Sequence, residues 1–218
     1  MDIDIANLKT SIEKAIENLP FVDGDSIPNI ALYMDQVTTF MDKYLKGTTR
    51  YPDSDKILTK TMINNYAKND LLPPPDRKKY SKEHILVLLF IYYFKNTLSM
   101  SDIQNLLGPL TEDHFHTSRN VSIEKIYSEI TNAEKSQQDY IKEDLSHKLD
   151  AVDATMQSLD EKDDFLELFT LLSLLNHDIW IKKQIMEKAL DDYFKKHPVY
   201  EAPPRPKPKA KPKKRKTK

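Results

Sequence analysis

Between Lys82 and Asn96 the chain reads KEHILVLLFIYYFKN, and its Ile, Leu, Phe and Tyr residues surround a helix instead of lining one side of it. A helix that is apolar on every side has to be enclosed by others, so this segment is expected to be the central helix of a helical core. Ser81 is placed to cap it. The unbroken apolar run inside it, Ile85 to Phe94, is ten residues long, whereas a bilayer-crossing helix needs about 20. No membrane partner is expected. With 3 Gly among 218 residues, few positions can take the positive φ angles that tight hairpins and phosphate-cradling loops favour. The rest of the chain is therefore read as mainly α as well.

Cysteine is absent, which excludes disulfides, thiolate metal sites and a Cys nucleophile, and suits a reducing compartment. The N-terminus carries acids, Asp2 and Asp4, where a secretory signal carries Lys or Arg. The expected location is cytoplasmic. The net charge of −1 hides a segregation along the sequence. Residues 201–218 hold nine Lys or Arg against Glu201, leaving residues 1–200 at −9. Within those, Lys56 to Lys82 has seven basic residues against Asp70 and Asp76, while residues 122–200 carry 17 acids against 10 bases. A local basic island thus stands out from an acidic bulk.

Helical periodicity and punctuation divide the chain into four parts. Residues 1–29 hold an amphipathic helix over 1–19 and a linker marked by Pro20 and Pro28. Residues 30–110 form a compact unit. In it a helix runs from Leu32 to Leu45 before Gly47, and a second, Lys60 to Asp70, is capped by Thr59 and ended by Pro73, Pro74 and Pro75. The central helix follows, then a short one with Ser101 and Gln104 at capping-box spacing, broken at Gly108-Pro109. Two very short strands are conceivable, near residues 57 and 78. Residues 121–197 read as two long helices, marked by Ile123 to Val152 and Phe165 to Tyr193, forming an antiparallel pair for dimerisation or effector binding. The Pro- and Lys-rich tail, 198–218, has no apolar anchor and is expected to stay disordered with polyproline II character.

The functional signal lies in LTKTMINNYAKNDLLPPPDRKKYSKEHILVLLFIYYF, residues 58–94. A helix that reads DNA exposes hydrogen-bonding side chains on one face and packs the other on the core. Lys60, Thr61, Asn64, Asn65 and Lys68 fall opposite Ile63, Tyr66 and Ala67. Asn can pair bidentately with adenine, Thr can touch a thymine methyl, and Lys can reach guanine or phosphate. Beyond the prolines, Arg77, Lys78 and Lys79 would supply phosphate or minor-groove contacts.

At these residues the sequence resembles the MerR-type winged helix-turn-helix. Thr59 matches its recognition-helix cap, Tyr66 the helix Tyr, Leu71-Leu72-Pro73 the exit, and Lys79-Tyr80-Ser81 the end of the wing. Lys82 to Asn96 and Ser101 to Leu107 match the two helices after it. Asn64 stands where that family usually carries Arg, the turn before the recognition helix is longer by about a dozen residues, and the wing is shorter. Up to about residue 196 the chain also looks like a family of low-GC Gram-positive proteins built on a domain of unknown function, through LYMDQVTTF and LTKTMINNY. The resemblance implies a MerR-like fold followed by a helical domain, double-stranded DNA as partner, and Lys60, Thr61, Asn64, Asn65, Lys68, Arg77, Lys78, Lys79 and Tyr80 as the contacting set.

The expected function is a sequence-specific DNA-binding transcription regulator, homodimeric through its C-terminal helices, with no cofactor. The alternative is an adaptor for protein partners, or an architectural DNA binder, on the same fold. Catalysis has no positive support: neither a Gly-x-Ser-x-Gly elbow nor a Gly-rich phosphate loop occurs. Glu112, Asp113, His114 and His116 form a weak metal-ligand pattern, with no further ligands implied. Acids at Asp160, Glu161, Asp163 and Asp164 suit a helix start better than Ca²⁺, because no EF-hand Gly is present. No metal is expected, and the small-molecule effector is unknown from the sequence.

Overall fold

The computed structural model of the chain describes residues 10–12, 14, 22–117, 120–160 and 163–197. The expected tail at 198–218, and most of the expected helix over 1–19, lie outside them; residues 10–12 and 14 are helical. The described residues are mainly helical. Helix α1 spans Met34–Leu45, α2 Lys60–Lys68, α3 Lys82–Phe94, α4 Met100–His114, α5 Ile123–Ser136, α6 Gln138–Leu159 and α7 Asp164–Lys196. Two strands, β1 (Leu32–Tyr33) and β2 (Lys79–Tyr80), pair antiparallel with Leu32 opposite Tyr80 and Tyr33 opposite Lys79.

As its composition requires, α3 is the centre. Every residue from Glu83 to Tyr92 is buried. Around it close Val37, Met41 and Leu45 of α1, Ile63 and Tyr66 of α2, Ile103 and Leu107 of α4, and Ile123 and Tyr127 of α5. Burying a Leu or Ile contributes about 1.5–3 kcal/mol each, so this enclosure holds the short helices α1 and α2 in place. A second core joins Leu145, Leu149, Val152 and Met156 of α6 to Leu171 of α7. These two helices form the expected antiparallel hairpin, and Lys148 of one reaches Asp178 of the other at 3.7 Å. Farther along α7, Met186 and Leu190 pack on the first core.

Several local expectations need correction. Leu32 and Tyr33 are extended, and α1 starts at Met34, where the Gln36 side chain accepts the Tyr33 backbone N–H at 2.8 Å. The strand expected near 78 is β2, but its partner is β1; Ile57 is a buried loop residue. Ser99, not Ser101, caps α4, accepting the Asp102 N–H at 3.2 Å while Asp102 reaches back to the Ser99 N–H at 3.3 Å. The helix then continues through Gly108 and Pro109 to His114. Pro109 lies on the exposed side, where the carbonyl that loses its N–H partner can be hydrated. The single long helix expected from Ile123 to Val152 is two, divided at Gln137, so that α5 serves the first core and α6 the second.

Candidate functional site

Helix α2 owes its start to Thr59, whose hydroxyl accepts the Met62 N–H at 3.2 Å. Its end is set before the prolines. Asp70 takes a left-handed φ of 56°, and the Leu71 and Leu72 N–H groups both donate to the Tyr66 carbonyl, at 2.9 and 3.3 Å. That reversal drives Leu71 and Leu72 into the core, 3% and 1% exposed. Pinned at both ends, α2 buries Ile63 and Tyr66 and turns Lys60, Thr61, Asn64, Asn65 and Lys68 to solvent. Lys60 forms an ion pair with Asp35 at the start of α1.

The expanded connection from α1 to α2 is folded. Its Ile57 and Leu58 are buried, the Thr48 hydroxyl lies 2.5 Å from the Tyr92 hydroxyl, and Lys95 Nζ donates to the Ile57 carbonyl at 3.4 Å. The C-terminal end of α3 therefore anchors this loop at two points, and the loop in turn sets where α2 begins.

Beyond the prolines, Asp76 bridges to Lys79 across a two-residue turn, with the Lys79 N–H donating to the Asp76 carbonyl at 2.8 Å. The two residues at its tip are Arg77 and Lys78, with φ of 45° and 66°. Positive φ at both central positions is the geometry of a primed hairpin turn, which usually takes Asn-Gly. Both basic side chains are exposed. Lys79 is exposed too, its ammonium 5.1 Å from the centre of the Tyr33 ring. Tyr80 departs from expectation. It is 3% exposed and meets the His84 ring edge-on at 5.5 Å, so it belongs to the base of the turn and not to a contacting surface. Burial raises its hydroxyl pKa. Tyr33 falls outside the expected set, because only the pairing of β1 with β2 brings it beside Lys79.

A buried histidine supports this turn. His84 Nδ1 accepts the Ser81 N–H at 3.0 Å, filling the place of the Glu or Gln of a capping box. Its Nε2 is buried without a hydrogen-bond partner. Burial pushes its pKa down to about 4, against the opposing pull of the Pro74 and Pro73 carbonyls. Next to it, the buried Glu83 carboxylate accepts the His116 backbone N–H at 2.9 Å and lies 2.6 Å from His116 Nδ1. His114 Nδ1 lies 2.8 Å from the Val121 carbonyl oxygen. Of the metal-ligand pattern, Glu112, Asp113 and His114 thus belong to the last turn of α4 and not to a loop, and His114 and His116 have protein partners. Asp163 caps α7 by accepting the Leu166 N–H at 2.8 Å.

Five exposed polar side chains of one helix and an exposed basic turn are both fixed to the same core. Such a surface can donate to phosphates and pair with base edges. Among the described residues no helix is long and apolar enough to cross a membrane. A family model described as a domain of unknown function (DUF1836) matches residues 22–130, the span from Val22 to just beyond Tyr127 that builds the first core. No curated protein and no solved structure matches the chain.

Proposed function

The chain belongs to the DUF1836 family, and from its own geometry we propose that it binds double-stranded DNA as a sequence-specific, non-enzymatic transcription regulator. The observation that carries this reading is the two-sidedness of α2: Lys60, Thr61, Asn64, Asn65 and Lys68 are exposed while Ile63 and Tyr66 hold the helix on the core. A helix fits the major groove, where Asn64 and Asn65 can address adenine edges and the lysines guanine or phosphate. Arg77 and Lys78 then fall on the adjoining backbone as a short wing, with Lys79 behind them. The order strand, two helices, basic hairpin turn, two helices supports the likeness to the MerR-type winged unit.

Charge agrees with the same reading. The basic island from Lys56 to Lys82 would steer this face of an acidic body towards DNA, and the basic residues of 201–218 would add phosphate binding without sequence information. The Asp35 and Lys60 pair is no obstacle, because an exposed pair contributes only about 0–1 kcal/mol and a phosphate can replace the carboxylate.

Selection of bound sequences from a random DNA pool by the full chain tests the proposal. One motif is expected to be enriched, and Asn65→Ala is expected to relax selection at one base pair by about 1–3 kcal/mol. Binding that shows a steep salt slope but no enriched motif would instead identify an architectural binder. Absence of binding at low salt would leave the adaptor role for protein partners.

A further inference from the structure

Where the second half of α7 returns to the first core it leaves a hollow of about 420 Å³. Phe94 at the end of α3, Leu98 just after it, Leu106 and Pro109 of α4, and Met186 and Phe194 of α7 stand in its walls. It therefore lies outside the α6–α7 pair, between α7 and helices of the first core. Packed protein leaves few voids larger than a water molecule, so a gap of this size is not ordinary packing. It falls within the range of about 300–1,000 Å³ usual for small-molecule sites. Pro109 and Ala189, which also line it, are exposed, so the hollow opens to solvent and a ligand has a way in.

We propose that this hollow binds a neutral aromatic molecule of on the order of 15 heavy atoms. The chemistry of the walls selects that class. No charged side chain lines the hollow, so a carboxylate, phosphate or ammonium entering it would give up water without gaining a partner. The same cost excludes the nine Lys and Arg of residues 201–218 as its filling. The rings of Phe94, Tyr193 and Phe194 and the thioether of Met186 are all in the lining. Rings favour the faces and edges of another ring, and sulfur favours a ring edge. Two of these rings are already held by neighbours: Phe94 stacks on Phe90 at 6.2 Å, and Tyr193 meets Phe194 edge-on at 5.2 Å. Tyr193 carries the one hydroxyl among the lining side chains, which suits a guest with a single hydrogen-bonding group. Because its walls come from both α7 and the first core, the molecule binds only while the two are docked, and so stabilises their contact. The site stands whether or not the chain binds DNA.

Titration of the full chain with N-phenyl-1-naphthylamine, a neutral aromatic dye whose emission rises in apolar surroundings, tests the proposal. Binding is expected to saturate at one dye per chain and to raise the melting temperature as dye is added. Ala189→Glu sets a carboxylate at the rim, on an exposed helical position, and is expected to weaken binding at least about tenfold while circular dichroism shows unchanged helix content. Phe169→Ser changes the outer side of α7, where Phe169 is 60% exposed, and is expected to leave binding unchanged, which separates the hollow from that apolar face. The 8-sulfonate of the same dye is expected to bind about tenfold more weakly than the neutral form. No saturable binding, binding that survives Ala189→Glu, binding lost with Phe169→Ser, or equal affinity for the sulfonate would each overturn the proposal. Should Ala189→Glu lose helix content, Ala189→Trp, which fills the hollow without adding charge, is held to the same loss.

Discussion

Asn65 and Tyr66 are adjacent in the chain and face opposite ways, one to solvent and one into the core. That single step of about 100° around α2 separates a side chain proposed to meet a base from one that holds the helix on the core. His84 shows the same division of labour in one side chain: Nδ1 caps α3, while burial keeps the ring neutral. Its folded pKa of about 4 lies below the ordinary value of 6.5, so the unfolded chain takes up this proton first. Its contribution to stability is complete above about pH 6.5 and is lost as pH falls towards 4, by up to about 3 kcal/mol. His84→Gln keeps a capping-box acceptor and removes the titration. Urea midpoints measured across that pH range are expected to fall less steeply for the variant than for the parent chain. Equal slopes would show that other groups set the acid sensitivity. Tyr80, beside it, illustrates a limit of reading residues one at a time: its direction is fixed by pairing with Leu32, 48 positions away, which no local pattern records.

At the scale of elements, the turn at Arg77 and Lys78 departs from its usual chemistry. Left-handed backbone costs about 1–2 kcal/mol for a residue with a side chain, and Gly recovers part of this at the expense of its own entropy. Lys78→Gly is therefore expected to raise stability by about 0.5–1 kcal/mol and, if the turn meets DNA as a wing, to lower the salt slope of binding by about one charge. A variant that gains stability without any change in the salt slope would remove Lys78 from the interface. Which elements were legible follows from where their causes lie. The start of α2 at Thr59 and of α3 at Ser81, and the central place of α3, were readable because capping and all-round apolarity are written within a few neighbouring residues. The two-residue strands were not, since pairing between distant segments makes them. Gly108 and Pro109 misled because packing of Ile103 and Leu107 on α3 outweighs the local cost of a proline inside a helix, about 3 kcal/mol. Likewise, the periodicity of α7 marked its apolar positions but not that they divide between the second core and an open outer side.

For the whole molecule, opposite charges and separate cores divide the work: a basic face on the first core, and an acidic hairpin that touches it again through Met186 and Leu190. Because the first core draws its buried residues from Val22 to Tyr127, residues 22–136 alone are expected to unfold in one cooperative transition in urea. A fragment without such a transition would show that α7 is needed as a cover. One bond gives this unit a further property. The Tyr127 hydroxyl donates to the Val22 carbonyl at 2.7 Å, so the strand of chain that enters the unit and the helix that leaves it are fastened side by side. A fold whose entrance and exit coincide can be set into a loop of another protein, or cut and rejoined in a new order, without prying its host apart. It is in that sense a portable cassette, and the helices that follow it here are one mounting among those it could accept.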